Sequence, residues 1–233
     1  ARVLARFGVA VLGVNRGNLG FLTDLSPENF ETPLAAVLAG NFVTEKRNLL
    51  EVEVYRNDCV KSSNSAVNEA VLHADKVAHM IEFEAHINGE FVFSQRSDGL
   101  IVASPTGSTA YSLSAGGPII HPSADSILVT PMNPTSLSVR PLVCPEYMTL
   151  TVRSNLPADK DVKMFIDGRN QFALKPDHTV IIRKHPIGVR LVRPKGSFYF
   201  DSLRNKLGWI LGPPEWTPEG PAWPPDHPQY KAP

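Results

Sequence analysis

Apolar and polar positions change their rhythm near residue 41, and the change divides the chain. Ahead of it, Ala1 to Gly8 reads as the end of a helix, with Val3, Leu4 and Phe7 apolar and Gly8 as the stop. Val9 to Val14 is apolar without alternation, which predicts a buried, parallel strand. Asn15 to Gly20 is then a Gly-rich loop at the carboxyl end of that strand, where α/β sheets place ligands. Its glycines, at 13, 17 and 20, do not make a dinucleotide fingerprint. A helix is predicted from Ser26-Pro27-Glu28 to about Gly40, capped by Ser26. One helix–strand–loop–helix segment cannot make a sheet by itself. It reads as the remnant of an α/β, Rossmann-like domain that extends upstream of Ala1.

Beyond that point the period becomes two. Leu49 to Tyr55 alternates, as a half-exposed strand does. Further strands are predicted at 66–72, 79–87 and 90–94, with Asn88-Gly89 as a hairpin turn. More follow at 100–103, 126–131, 148–153, 162–166, 179–183 and 188–192, and a short helix at 198–206. The fold class is therefore α+β, an α/β remnant followed by a mainly antiparallel β domain. The division expected is 1–44 for the remnant, 45–185 for the β domain, 186–209 for a segment returning to the α/β part, and 210–233 for a tail. That tail carries eight prolines, and they forbid a heptad helix through Trp209, Trp216 and Trp223. It reads as extended or disordered.

Composition narrows the partners. Hydrophobic residues are 42% and charged residues 20% of 233, enough apolar material for a sizeable core. Lys+Arg and Asp+Glu are both 23, so the balanced charge argues against bulk binding to nucleic acid or an anionic membrane. No apolar run approaches the ~18 residues of a membrane span, and no secretory signal leads the chain. Cys59 and Cys144 make neither a disulfide framework nor a metal spacing, which fits a reducing, cytoplasmic setting. His73, His79 and His86 are too irregular for a metal site.

Candidate chemistry gathers in residues 94 to 120. Asp98-Gly99 precedes the apolar run Leu100–Ala103; Ser104-Pro105-Thr106-Gly107 breaks it. A small-residue helix is predicted from Ser108 or Thr109 to Ala115, capped by a hydroxyl, and a helix start suits phosphate or polar ligand atoms. Tyr111 is the large ring of this run, placed to stack on a base. The bland alternative is a plain strand–turn–helix joint. Asn68-Glu69 sits among apolar neighbours, where a carboxylate and an amide need hydrogen-bond partners. The pair suits ribose hydroxyls, and a water-facing turn is the alternative. Asp167 to Gln171 reads first as a turn.

In order along the chain, Asn15 to Asp24, the Asn68-Glu69 pair, Ser94 to Gly99 and Ser104 to Pro118 resemble the NAD kinase family in its bacterial, ATP-dependent form. The resemblance runs from residue 1 to about Trp209 and implies the two-domain plan above. It implies phosphoryl transfer from ATP, or from polyphosphate in some members, to the 2′-hydroxyl of the adenosine ribose of NAD, giving NADP, with Mg2+ or another divalent ion. By resemblance Asn68 and Glu69 hold ribose hydroxyls. Thr109, Ala110 and Tyr111 lie around the adenine and nicotinamide ends, and Ser112, Leu113 and Ser114 complete that run. Asp98 contacts the nicotinamide amide, and His79 and Arg96 are further contacts. Gln171 is the counterpart of a Gln that lies two positions after Asp in the bacterial pattern; here Gly168-Arg169-Asn170 intervenes.

The family's Gly-Gly-Asp-Gly motif, whose Asp is the general base or orienter, would fall upstream of Ala1, so no catalytic residue is expected within these 233 residues and little turnover from them alone. Family members are homo-oligomers, dimers or tetramers. The rival readings are a lipid-type kinase of the same plan, which needs a greasy acceptor cleft, and an NAD(P)-binding pseudokinase or gene fragment.

Overall fold

The computed structural model describes residues 1–16, 20–23, 25–74, 79–154, 162–196 and 199–209. The expected tail, Phe198 and Asp24 lie outside the described residues. The chain divides into two compact units, Ala1–Lys195 and Gly196–Pro233.

The first unit begins with α1 (Arg2–Ala5), β1 (Ala10–Val11) and α2 (Glu31–Leu38). The strands β2 (Phe42–Arg56), β3 (Cys59–Ala66), β4 (Glu69–Ala74), β5 (Ile81–Ile87), β6 (Glu90–Ser97) and β7 (Gly99–Ala103) follow. A 3-10 turn at Thr106–Thr109 leads to α3 (Tyr111–Ser114). After it come β8 (Ser126–Met132), β9 (Leu142–Pro145), β10 (Leu150–Ser154), β11 (Val162–Ile166), β12 (Asn170–Leu174) and β13 (His178–Pro194). In the second unit α4 (Tyr199–Leu207) stands close to the predicted 198–206.

Two sheets result. One runs β3-β2-β13-β10-β5-β6, with β1 added in parallel to β13; the other runs β12-β11-β4-β7-β8-β9. Alternate residues of both sheets meet in one core, among them Val52, Phe83, Val152 and Ile182 from the first and Leu72, Val102, Val129 and Met164 from the second. The mainly antiparallel β architecture matches expectation. The far face of the second sheet holds Val71, Ile101, Ala103, Leu128 and Met132, packed by Ala115 and Ile120. The long pair β2–β13 passes a bulge between Lys184 and Gly188, so the two strands predicted at 179–183 and 188–192 are one. Beyond the bulge, Leu49, Val189 and Leu191 pack against Ala5, Val11 and Leu22.

Four expectations need correction. The strand at Val9–Val14 is parallel but meets β13 through Ala10 and Val11, Val14 forming a separate parallel bridge with Leu25, and Val9 and Val14 are exposed. The helix expected from Ser26 starts at Glu31; Ser26 to Asn29 closes a turn in which Ser26 N–H donates to Asn29 Oδ1. Pro33 explains the shift. In the first turn its missing N–H costs nothing, whereas a helix from residue 27 would place it in the interior.

The strand expected at 66–72 is broken at Val67-Asn68, so β3 joins one sheet and β4 the other. The helix expected at 108–115 is split at Ala110, whose φ of −97° and ψ of −131° are extended, and no hydroxyl caps either part. Ser108 Oγ instead donates to Pro105 O and accepts from Ile120 N–H.

Candidate acceptor-nucleotide site

The break at Val67-Asn68 is held from outside its own strand. Asp167 sits in the loop between β11 and β12, with φ of +48°, followed by Gly168 at +68°. Positive φ at both central positions is what a type I′ turn requires, and Asp-Gly supplies it. From there the Asp167 carboxylate accepts three successive backbone N–H groups: Val67 at 2.9 Å, Asn68 at 2.8 Å and Glu69 at 3.3 Å. Asp167 N–H donates back to Glu69 O at 3.0 Å. Arg2 of α1 stands beside this knot, its Nη1 4.0 Å from Asp167 Oδ2 and 2.9 Å from Ser65 O, to which it donates.

The other wall is the loop after β7. Ser104 N–H donates to Asn68 O at 2.8 Å, and Ser104 Oγ donates to Val67 O at 2.6 Å. Gly107 lies so close that a Cβ there would be 2.1 Å from Asn68 O. Only glycine permits that approach.

Glu69 is the chemical centre of this end. It is 7% exposed, and its Oε2 has no hydrogen-bond partner. Tyr111 N–H donates to the carboxylate. The helix start predicted to greet a ligand anion thus greets an internal one. Burial first, and the Asp167 charge second, push the Glu69 pKa up to about 7, against the pull of that N–H. A buried oxygen with an open lone pair is costly unless something completes it. A ligand hydroxyl does so, and the Asn68 amide alongside both donates and accepts.

The remaining candidates spread around this pair. The Tyr111 ring is 45% exposed, as a stacking surface must be. Thr109 and Ala110 are half-buried, with Thr109 Oγ1 3.4 Å from Thr106 O. Ser112 is fully buried and shares a 2.8 Å hydrogen bond with Thr130 Oγ1; Leu113 is half-buried and Ser114 exposed. Gln171 lies in β12 opposite Phe165, on the strand that the Asp167 turn opens.

Asp98 is elsewhere. Glu69 pairs with Ala103 at one end of β7, while Asp98 precedes Gly99 at the other, roughly 17 Å away at strand spacing. There it accepts from Asn133 Nδ2 at 2.9 Å. Arg96 is an exposed neighbour on β6 whose carbonyl accepts Thr135 N–H, and His79 is exposed ahead of β5. The structure therefore brings Asn68, Glu69 and the Thr109–Ser114 run together and leaves Asp98 and Arg96 at the opposite end of β7. Sequence reasoning missed Asp167 as part of the site. Asp-Gly announces the turn, but nothing local announces which backbone its carboxylate binds.

Among the described residues no group of three His, Cys, Asp or Glu side chains could hold a metal ion.

Known proteins resemble this chain in sequence and in fold. The family model described as ATP-NAD kinase C-terminal domain matches residues 67–194, and that of the ATP-NAD kinase N-terminal domain matches residues 1–42. The NAD kinase of Pseudoalteromonas translucida is 58% identical over 209 residues, 90% of this chain and 71% of that protein. That of Shewanella denitrificans is 53% identical over 209 residues, 90% of this chain and 68% of that protein. Among solved structures, yeast NADH kinase complexed with NADH superposes with a TM-score of 0.77 at 28% identity, over 88% of this chain and 60% of the yeast chain. An Archaeoglobus fulgidus NAD kinase in complex with ATP gives 0.70 at 28% identity, over 86% and 74%. A bend that carries Asn68-Glu69, a Gly107 loop packed onto it and two domain models matched in order have one common explanation: this chain belongs to the NAD kinase family.

Proposed function

We propose that this chain forms the acceptor half of a NAD kinase site, serving transfer of a phosphoryl group from ATP to the 2′-hydroxyl of the adenosine ribose of NAD. The observation that carries the reading is the buried, unpartnered Glu69 Oε2 beside Asn68. Those two side chains grip the ribose diol, Tyr111 stacks on a base, and Thr109, Ala110 and Ser114 line the path between. Ser112, bonded to Thr130, and Leu113 hold that run in place. Phosphoryl transfer rests on positioning and charge stabilisation, so fixing the acceptor oxygen is the contribution of this half.

ATP and Mg2+ are taken as the donor pair. The described residues offer no carboxylate cluster for the ion, so it travels on the donor's phosphates and no residue is assigned to it here. Asp98, with Arg96 and His79, serves the nicotinamide end. Its distance from Glu69 along β7 favours a homo-oligomer in which neighbouring copies complete each site. Gln171 is taken as a further NAD contact. We place domain boundaries near 44 and 186, beside the β13 bulge. No helix of the described residues is long and apolar enough to cross a membrane. The free Cys59 and Cys144 support a reducing, cytoplasmic setting.

The test is calorimetric titration of the chain with NAD and NADP, together with NADP formation from ATP, Mg2+ and NAD by the complete gene product. Binding lost in Glu69→Ala supports the reading. Undiminished binding in that variant, or turnover of a diacylglycerol in place of NAD, overturns it.

A further inference from the structure

One carboxylate in this region contacts the backbone on which both candidate ribose-binding residues stand. Asp167 accepts the N–H groups of Val67, Asn68 and Glu69 in succession. Three N–H donors onto one carboxylate specify the conformation of a bend that the two flanking strands, which belong to different sheets, do not specify themselves. Asp167 is itself held by its turn and by the Glu69 carbonyl. Its negative charge then lies against the Glu69 carboxyl, in a place where burial already opposes ionisation.

We propose that Asp167 is a positioning residue for the acceptor ribose: its carboxylate shapes the bend that presents Asn68 and Glu69, and its charge bears directly on the Glu69 carboxyl. The inference rests on the ribose reading of Asn68 and Glu69. It gives one side chain two separable effects. As a hydrogen-bond acceptor it sets where the ribose contacts stand. As a charge it sets the pH at which Glu69 becomes a full acceptor for hydroxyl groups.

The groups facing Glu69 are few. Asp167 comes from the β11–β12 loop, with Arg2 of α1 at 4.0 Å from it. Tyr111 of α3 gives its N–H. Along β4 the alternation brings His73 onto the same side, where its Nδ1 lies 2.5 Å from Ala74 O. The paired strand β7, Gly99 to Ala103, carries no titratable side chain, and the other paired strand, β11, carries Lys163 opposite His73. Glu69 ionises as pH rises through about 7, and ionisation strengthens its acceptance of two hydroxyl protons. Affinity for NAD, which keeps both hydroxyls of that ribose, therefore rises across that interval.

The experiment is calorimetric titration of the chain with NAD from pH 5.5 to 8.5, with a carbon-13 titration of the Glu69 carboxyl by NMR. Asp167→Asn keeps the shape and removes the charge. It is expected to weaken binding about tenfold, since a side-chain amide replaces one acceptor oxygen with a donor. It is also expected to move the midpoint of the pH step to lower pH. A wild-type midpoint with weakened binding reduces Asp167 to a structural prop and overturns the proposal; so does wild-type affinity with a shifted midpoint.

Arg2→Met provides the second handle, and it matters most if Asp167→Asn does not fold. Removing the cation leaves the Asp167 charge less opposed, so the midpoint moves to higher pH; an unmoved midpoint there counts against the proposal. Glu69→Gln separates the premises. It abolishes the pH step if the ribose reading holds. A step and an affinity that both survive it bring down that reading, whereas a shift failure with the step intact brings down Asp167 alone.

Discussion

The two ends of β7 solve the same task in opposite ways. At the Ala103 end a carboxylate is buried among backbone groups: Asp167 below it, Ser104 and Gly107 beside it, and the Tyr111 N–H above. At the Gly99 end Asp98 stands near the surface and is steadied by one exposed amide, Asn133. The first arrangement costs stability, because a buried acid with an open lone pair is unfavourable without its ligand. The second costs almost nothing, because solvent does most of the work. The proposed site thus has a preformed, expensive end and an adaptable, inexpensive one.

That contrast breaks most readily at Gly107. Gly107→Ala puts a methyl group 2.1 Å from Asn68 O, so the loop must separate from the bend. We expect a loss of about 2–4 kcal/mol in a urea melt and no measurable NADP binding by calorimetry. The next effect lies in Glu69. Its folded pKa of about 7 stands above the ordinary 4.5, so its stabilising influence is full below 4.5 and is lost as pH rises to about 7. Glu69→Gln should flatten the fall in stability across that window, worth up to about 3 kcal/mol by linkage, in melts taken at pH 4.5 and 7.5. A fall of the same size in the variant assigns it to other groups.

Smaller effects sharpen the comparison. Tyr111→Ala should raise the KM for NAD about tenfold through lost stacking, with Tyr111→Phe near the parent value. Melting temperature should stay unchanged, since nearly half of the ring is exposed. Asp98→Asn should lie within about 0.5 kcal/mol of the parent in stability, since Asp98 is only half-buried and its partner Asn133 is exposed. Its affinity for NAD should fall less than in Glu69→Gln. An Asp98→Asn variant that is as unstable as Gly107→Ala would show that the two ends are not distinct.

The chemistry-bearing stretches were legible in sequence because each couples a small-residue break to an apolar strand, as Ser104 to Gly107 does after Leu100–Ala103. The central strands were legible for the same reason. The strands that escaped notice were β3, β9 and β12, and all three are sheet edges. With one side open to solvent they need not be apolar; Cys59–Ala66, for instance, is mostly polar and exposed. Local propensity also misled at Val67-Asn68. Apolar residues on both sides read as one strand, but the decisive partner is Asp167, a hundred positions later in the chain. Pro33 could have fixed the start of α2; the Ser26-Pro27 cap signal masked it.

The parallel seam of β1 on β13 also sets an order of events during synthesis. Ala10 pairs with Arg190, and Phe42 with Pro194, so the first strand waits for almost the last before it finds a neighbour. At ribosomal speed that wait is on the order of ten to forty seconds, long compared with hairpin closure. The hairpins β5–β6 and β7–β8 close within their own stretch of chain, whereas β2, like β1, needs β13. A nascent chain stalled before residue 188 therefore carries Ala10 and Val11 without the strand that they pair with, an invitation to chaperones.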